Sequence, residues 1–141
     1  MGERISWSIN VQVAGGPKIS LSRSLDVDAY DKLSVPVAAG ATGESAVPVE
    51  VQPASEAGRV LFLLISADRY DIENLACEVR DGEATTLTLP LDGPQVLMGP
   101  GAISLLGATP PQTLYFTNGL ESEARVDILV GRKATPSAGS S

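Results

Sequence analysis

Residues 5 to 13, ISWSINVQV, alternate without a fault. Ile5, Trp7, Ile9, Val11 and Val13 fall on one face; Ser6, Ser8, Asn10 and Gln12 fall on the other. Period two over nine residues excludes a helix, whose apolar positions recur every three or four residues, and specifies a half-buried strand. Gly15, Gly16 and Pro17 end it. The same period returns along the chain. Ile19, Leu21, Leu25 and Val27 form a second set, with Arg23 interrupting it, so a bend or a sheet edge is expected there. Leu33, Val35 and Val37 form a third, and Val47, Val49 and Val51 a fourth. Pro36 and Pro48 lie inside these runs and lack the amide that a central strand needs, so both runs belong at sheet edges or bulges.

VLFLLI, residues 60 to 65, is apolar at every position. At that length it reads as a central strand covered on both faces, and it is far too short to span a bilayer. SADRYDIEN, residues 66 to 74, reads as a loop, and so does AAGATGES, residues 38 to 45. Leu75, Cys77 and Val79 alternate up to Asp81-Gly82, and Leu87, Leu89 and Leu91 alternate after it. The turn signals DGP and GPG bound a short strand at 95 to 98, and ISLL, residues 103 to 106, reads as another. With 14 glycines and 10 prolines punctuating about ten strands, the fold class is all-β, an antiparallel β-sandwich or jelly roll. Residues 1–133 are expected to form a single sandwich domain and residues 134–141, ATPSAGSS, a flexible tail. A chain of 141 residues buries enough surface to fold without a disulfide or a metal.

Residues directly opposite in an antiparallel pair share a face, which tests the two glycine turns. A two-residue turn at Asn118-Gly119 would set Phe116 opposite Glu121 and Leu114 opposite Glu123, burying carboxylates. A loop over 119–121 instead sets Phe116 opposite Ala124 and Leu114 opposite Val126. At Asp81-Gly82 a three-residue loop sets Val79 opposite Thr85 and Cys77 opposite Leu87. Loops of three or five residues with a glycine bulge are therefore expected at both places, in place of regular two-residue turns.

The chemistry available is narrow. The chain has no histidine, which removes Ser-His-Asp and Cys-His nucleophiles and histidine-ligated metals. Its one cysteine, Cys77, sits in an apolar set and reads as a small core residue. GPGAISLLG lacks the lysine of a phosphate loop. The densest acidic group is Asp26, Asp28 and Asp31, the only candidates for a hard cation, but the glycine and distal glutamate of a calcium loop are missing. No catalytic residue, cofactor or metal is therefore assigned. A net charge of −7 argues against nucleic acid, and no basic amphipathic segment argues for a membrane. With only six aromatics, and Trp7 and Phe116 on apolar faces, a carbohydrate platform has little to build on.

LYFTNG followed by ARVDILVGR, with its short acidic loop, resembles the C-terminal strand pair of small β-sandwich accessory proteins of tailed-phage particles. LTLPLDGPQVLMGPGAISLLG, residues 87 to 107, fits the same style. The resemblance covers the last third of the chain. It implies a non-enzymatic virion subunit of the capsid decoration, or cement, type, made in the host cytoplasm and placed on the capsid surface. It implies a homo-oligomer, a trimer by the habit of such proteins, held to the major capsid protein or another virion protein. A component of a tail, baseplate or contractile injection particle is the neighbouring alternative. A carbohydrate- or calcium-binding module and an enzyme using carboxylates alone stand as the other classes. An enzyme requires a polar pocket with carboxylates of raised pKa, a sugar module aromatics exposed in a groove, and a particle subunit an apolar surface for assembly.

Overall fold

The computed structural model describes residues 2–51, 60–107 and 111–133. The expected tail at 134–141 lies outside the described residues. The chain is all-β. Ten strands run Glu3–Gln12 (β1), Lys18–Val27 (β2), Ala29–Val37 (β3), Val47–Glu50 (β4), Val60–Ala67 (β5), Asp71–Asp81 (β6), Ala84–Leu91 (β7), Gln95–Met98 (β8), Thr113–Asn118 (β9) and Ala124–Arg132 (β10). Two four-stranded antiparallel sheets face each other, one in the order β3-β10-β5-β8 and the other β4-β9-β6-β7. β1 and β2 pair only with each other, in a separate two-stranded sheet.

The core lies between the four-stranded sheets. One supplies Val37, Leu63, Ile65, Val126, Ile128 and Val130; the other supplies Leu75, Cys77, Val79, Leu114 and Phe116. Each large side chain here contributes about 1.5–3 kcal/mol by leaving water. The prolines obey their chemistry: Pro36 lies in β3, Pro48 in β4 and Pro90 in β7, and all three are edge strands. VLFLLI lies in β5, a central strand between β10 and β8. Leu63 and Ile65 enter the core; Phe62 is buried as well, yet it stands outside the core cluster.

Several expectations are corrected. β9 and β10 are not a hairpin: they lie in opposite sheets, and residues 119–123 arch between them. Phe116 faces Val47 and Cys77 as strand neighbours, and Ala124 faces Val37. Asn118 shapes the arch. It is fully buried; its Nδ2 donates to the Val37 carbonyl at 3.0 Å and the Ser122 carbonyl at 2.9 Å, and its Oδ1 accepts from the Leu120 amide at 2.8 Å. The Asn118 amide donates to Ala41, which ties down the 38–45 loop.

At Asp81-Gly82 the turn has two residues after all, Gly82 and Glu83, since Asp81 pairs with Ala84. Gly82 takes φ +64°, where a side chain is strained. The odd residue is absorbed inside β7, where the register shifts and Thr86 is passed over, so Val79 meets Leu87 and Cys77 meets Leu89. Within 66–74 only residues 68–70 are a link, because β6 begins at Asp71. The Asp71 carboxylate accepts from the amides of Glu73 and Asn74, where pairing with β7 lapses. ISLL is not a strand. Pro100–Ile103 form one helical turn (α1) and Ser104–Leu106 a 3-10 turn, with Pro100 at the favoured first position. β2 runs through Arg23 without a break, and Arg23 pairs with Trp7.

Candidate functional site

The two-stranded sheet is an arm. Its register sets Ile5 opposite Leu25, Trp7 opposite Arg23, Ile9 opposite Leu21 and Val11 opposite Ile19, all on one face. The other face is hydroxyl-rich, with Ser6 opposite Ser24 and Ser8 opposite Ser22. The tip is closed at Val13–Pro17, where the Val13 amide donates to Pro17 and the Gly16 amide to Val13.

The base of the arm is seated on the outside of the sheet that contains β5 and β10. Gly131 in β10 is the seat. A Cβ there would lie 2.7 Å from Ile5 Cδ1, 3.0 Å from Val27 Cγ1 and 3.4 Å from Phe62 Cβ. Val27 and Phe62, each 2% exposed, are thus buried in a second small cluster outside the sandwich core. The Asp28 amide donates to the Arg132 carbonyl at 2.8 Å and carries the chain from arm to β3. Further along, Trp7, Arg23 and Leu25 share a cavity of about 180 Å³ with Met98, Gly99 and Pro100.

Beyond that point the apolar face has no cover. Val11 is 54% exposed, Val13 57%, Ile19 59% and Leu21 54%. An isolated two-stranded ribbon is marginally stable in water. Here it presents unpaired outer edges and an apolar face together, which is the geometry that invites another chain.

No comparable site for chemistry stands out. Asp26 accepts from Arg4 Nε at 3.0 Å, an exposed pair, and Asp31 lies 2.6 Å from Arg132 Nη1. Asp28 sits on the link between arm and sandwich. The structure thus pairs two of the three acidic candidates with different arginines, and among the described residues no three His, Cys, Asp or Glu side chains are placed to hold a metal ion. Burial pushes the Cys77 thiol up to about 12, assisted by the negative charge of Glu78, so it is held as the neutral thiol. A cleft of about 680 Å³ is lined by Val79, Arg80, Asp81, Thr86 and Tyr115 among others. Its guanidinium is already engaged: Arg80 Nη2 lies 2.8 Å from Glu78 Oε1 and donates to the Gly43 carbonyl, and its Cζ is 4.4 Å over the Tyr115 ring. An apolar cleft of about 290 Å³ opens between β7 and β8, lined by Leu63, Leu87, Leu89, Leu97 and Leu105.

The arm was legible only as two alternating strands. Nothing in ISWSINVQV distinguishes a face that meets its own core from one left uncovered. Exposed aromatics are few, Tyr30 and Tyr70, and the Tyr70 hydroxyl already accepts from the Ala67 amide. No described helix is long and apolar enough to cross a membrane. Comparison of the chain with family models, with curated proteins and with solved structures returns no match.

Proposed function

We propose that this chain is a non-enzymatic structural subunit that works through protein–protein contacts, as a decoration protein on a tailed-phage head. The observation that carries the reading is the arm: a ten-residue strand pair anchored at Gly131, with Val11, Val13, Ile19 and Leu21 exposed on one face. An apolar strand face beside unpaired edges is the kind of surface on which another protein packs or pairs. Three of the four outer strands of the sandwich carry a proline, Pro36, Pro48 and Pro90, which blunts them against indiscriminate pairing. The net charge of −7 keeps a densely coated particle soluble. The phage head as the particle, and a trimer as the oligomer, come from the resemblance of residues 87–132.

The test is co-sedimentation of the purified chain with phage heads stripped of accessory proteins, and separately with tails. Saturable pelleting with heads, together with a higher melting temperature of the head, is the expected result. Pelleting with tails alone moves the chain to the tail, and pelleting with neither overturns the particle reading.

A further inference from the structure

The arm is one interface seen twice. Its inner half, Ile5, Trp7, Leu25 and Val27, already packs on the outer face of the β3-β10-β5-β8 sheet, against Gly131, Phe62 and Met98. Its outer half carries the same branched aliphatic residues in the same parity, with nothing beneath them. The outer face of the sheet is likewise only half covered. Register places Leu129 beside Leu64 and Leu64 beside Val96, one row beyond the seat. Leu64 and Leu129 are half-buried, with a cavity of about 270 Å³ over them, and Val96 is 38% exposed.

We propose that the outer half of the arm docks on a second copy of this chain, over Leu64, Val96 and Leu129 of that copy's sheet. The chemistry of the contact is the one each chain already makes within itself, so the new interface continues the existing one. Charge agrees with it. Residues 8–22 carry a single charge, Lys18, and the receiving surface carries one charge of each sign, Lys32 beside Leu129 and Asp127 in the next row, so no net repulsion opposes the contact. Five residue pairs lie beyond Trp7. At ~3.3 Å per residue and ~4.8 Å per strand they offer about 160 Å² of projected face, below the ~800 Å² per partner of a standard interface, so the arm alone does not complete a contact of either kind. Two arms stacked face to face have only this face to share, whereas an arm laid on a neighbour's sheet brings the two sandwich bodies together and adds their surface. Because each copy both gives an arm and receives one, each is engaged twice. Such a head-to-tail contact closes into a ring when the rotation permits. The inference rests on the reading of this chain as an assembly subunit, and it names the first partner.

Light scattering on the full chain tests it. The wild type is expected at a multiple of 14.6 kDa. Leu21→Asp removes the arm contact and Val96→Glu the receiving contact, and both positions are exposed, so each variant is expected as a folded monomer. Leu129→Asp is the second receiving variant, and Trp7 emission with the thermal midpoint confirms folding in each. Mixing the two monomers leaves one intact arm facing one intact sheet, so a species of twice the monomer mass is expected. A wild type that stays monomeric at every concentration overturns the proposal. So does a Val96→Glu chain that still assembles, which is the result for stacked arms, or a mixture that yields no dimer. A Leu21→Asp chain that keeps its oligomer and loses only the phage head also overturns it, and assigns the arm to the particle. A monomer that still binds heads defeats this inference alone; a ring that binds neither heads nor tails defeats the particle reading alone.

Discussion

Gly131→Val removes the seat of the arm without touching the sandwich core. The glycine lies in β10, on the face away from the core, under the arm. The added Cβ arrives 2.7 Å from Ile5 Cδ1 and 3.0 Å from Val27 Cγ1, both closer than ordinary contact. Ile5 can yield, because its Cδ1 is the end of a flexible side chain. Val27 cannot yield easily, since it is branched at Cβ and 2% exposed. Overpacking of this kind costs about 1–3 kcal/mol, against which replacing a strand glycine returns roughly 0.5–1 kcal/mol. Gly131→Ala should therefore lose about 1 kcal/mol, and Gly131→Val, with two further methyls, about 2 kcal/mol or the seating of the arm altogether. The assay is intrinsic: Trp7 is the only tryptophan, and it sits in the arm beside Met98 and Pro100. In Gly131→Val its emission should shift to the red and its transition in urea should precede that of the sandwich, which circular dichroism follows separately. Unchanged emission with a single coincident transition would refute the seating of the arm on Gly131.

Other perturbations follow from the same contacts. Asn118→Ala strands the buried Val37 carbonyl and loosens the more exposed Ser122 carbonyl, and at about 1–3 kcal/mol for a buried unsatisfied group it should cost roughly 2 kcal/mol in urea unfolding. Gly82→Val forces a branched side chain to φ +64° and should cost about 1–2 kcal/mol by thermal unfolding, with Gly82→Asn recovering much of the loss. Cys77, held neutral up to about 12, should resist alkylation at pH 8 in the folded chain and react at once in denaturant. Its folded pKa lies above the ordinary 9.0 of a free thiol, so its share of stability is intact below pH 9 and is lost as pH rises from there towards 12, a loss that Cys77→Ala should abolish.

How far the residues themselves specify this fold can be seen strand by strand. Alternation at period two placed the strands, because burial of one face leaves no other choice of side-chain direction. The missing amides of Pro36 and Pro48 placed their strands at edges, and Pro90 obeys the same rule in β7. Alternation does not say which strand is the neighbour. Leu114, Phe116, Val126 and Ile128 point into one core whether β9 and β10 pair as a hairpin or face each other across a sandwich, so parity rejected the two-residue turn at Asn118 and could not reveal the arch. At Gly82 the odd residue could be absorbed by the loop or by the strand, and the bulge at Thr86 took it. The helical turn at Pro100 was available in retrospect. Ile103 and Leu106 are buried three residues apart while Leu105 is 72% exposed, a helical spacing in a run too short to outweigh strand propensity. The site was least legible of all, because an apolar strand face reads the same whether its cover comes from its own chain or from another.

Whether the cover of the arm comes from another protein is decided by co-sedimentation with stripped phage heads of the wild-type chain beside Leu21→Asp. The wild type should pellet with the heads in a saturable way as an oligomer, and Leu21→Asp, folded by its Trp7 emission but monomeric, should lose the multivalent hold of the assembly and stay in the supernatant. Equal pelleting of the two chains, or no pelleting of either, would contradict this expectation.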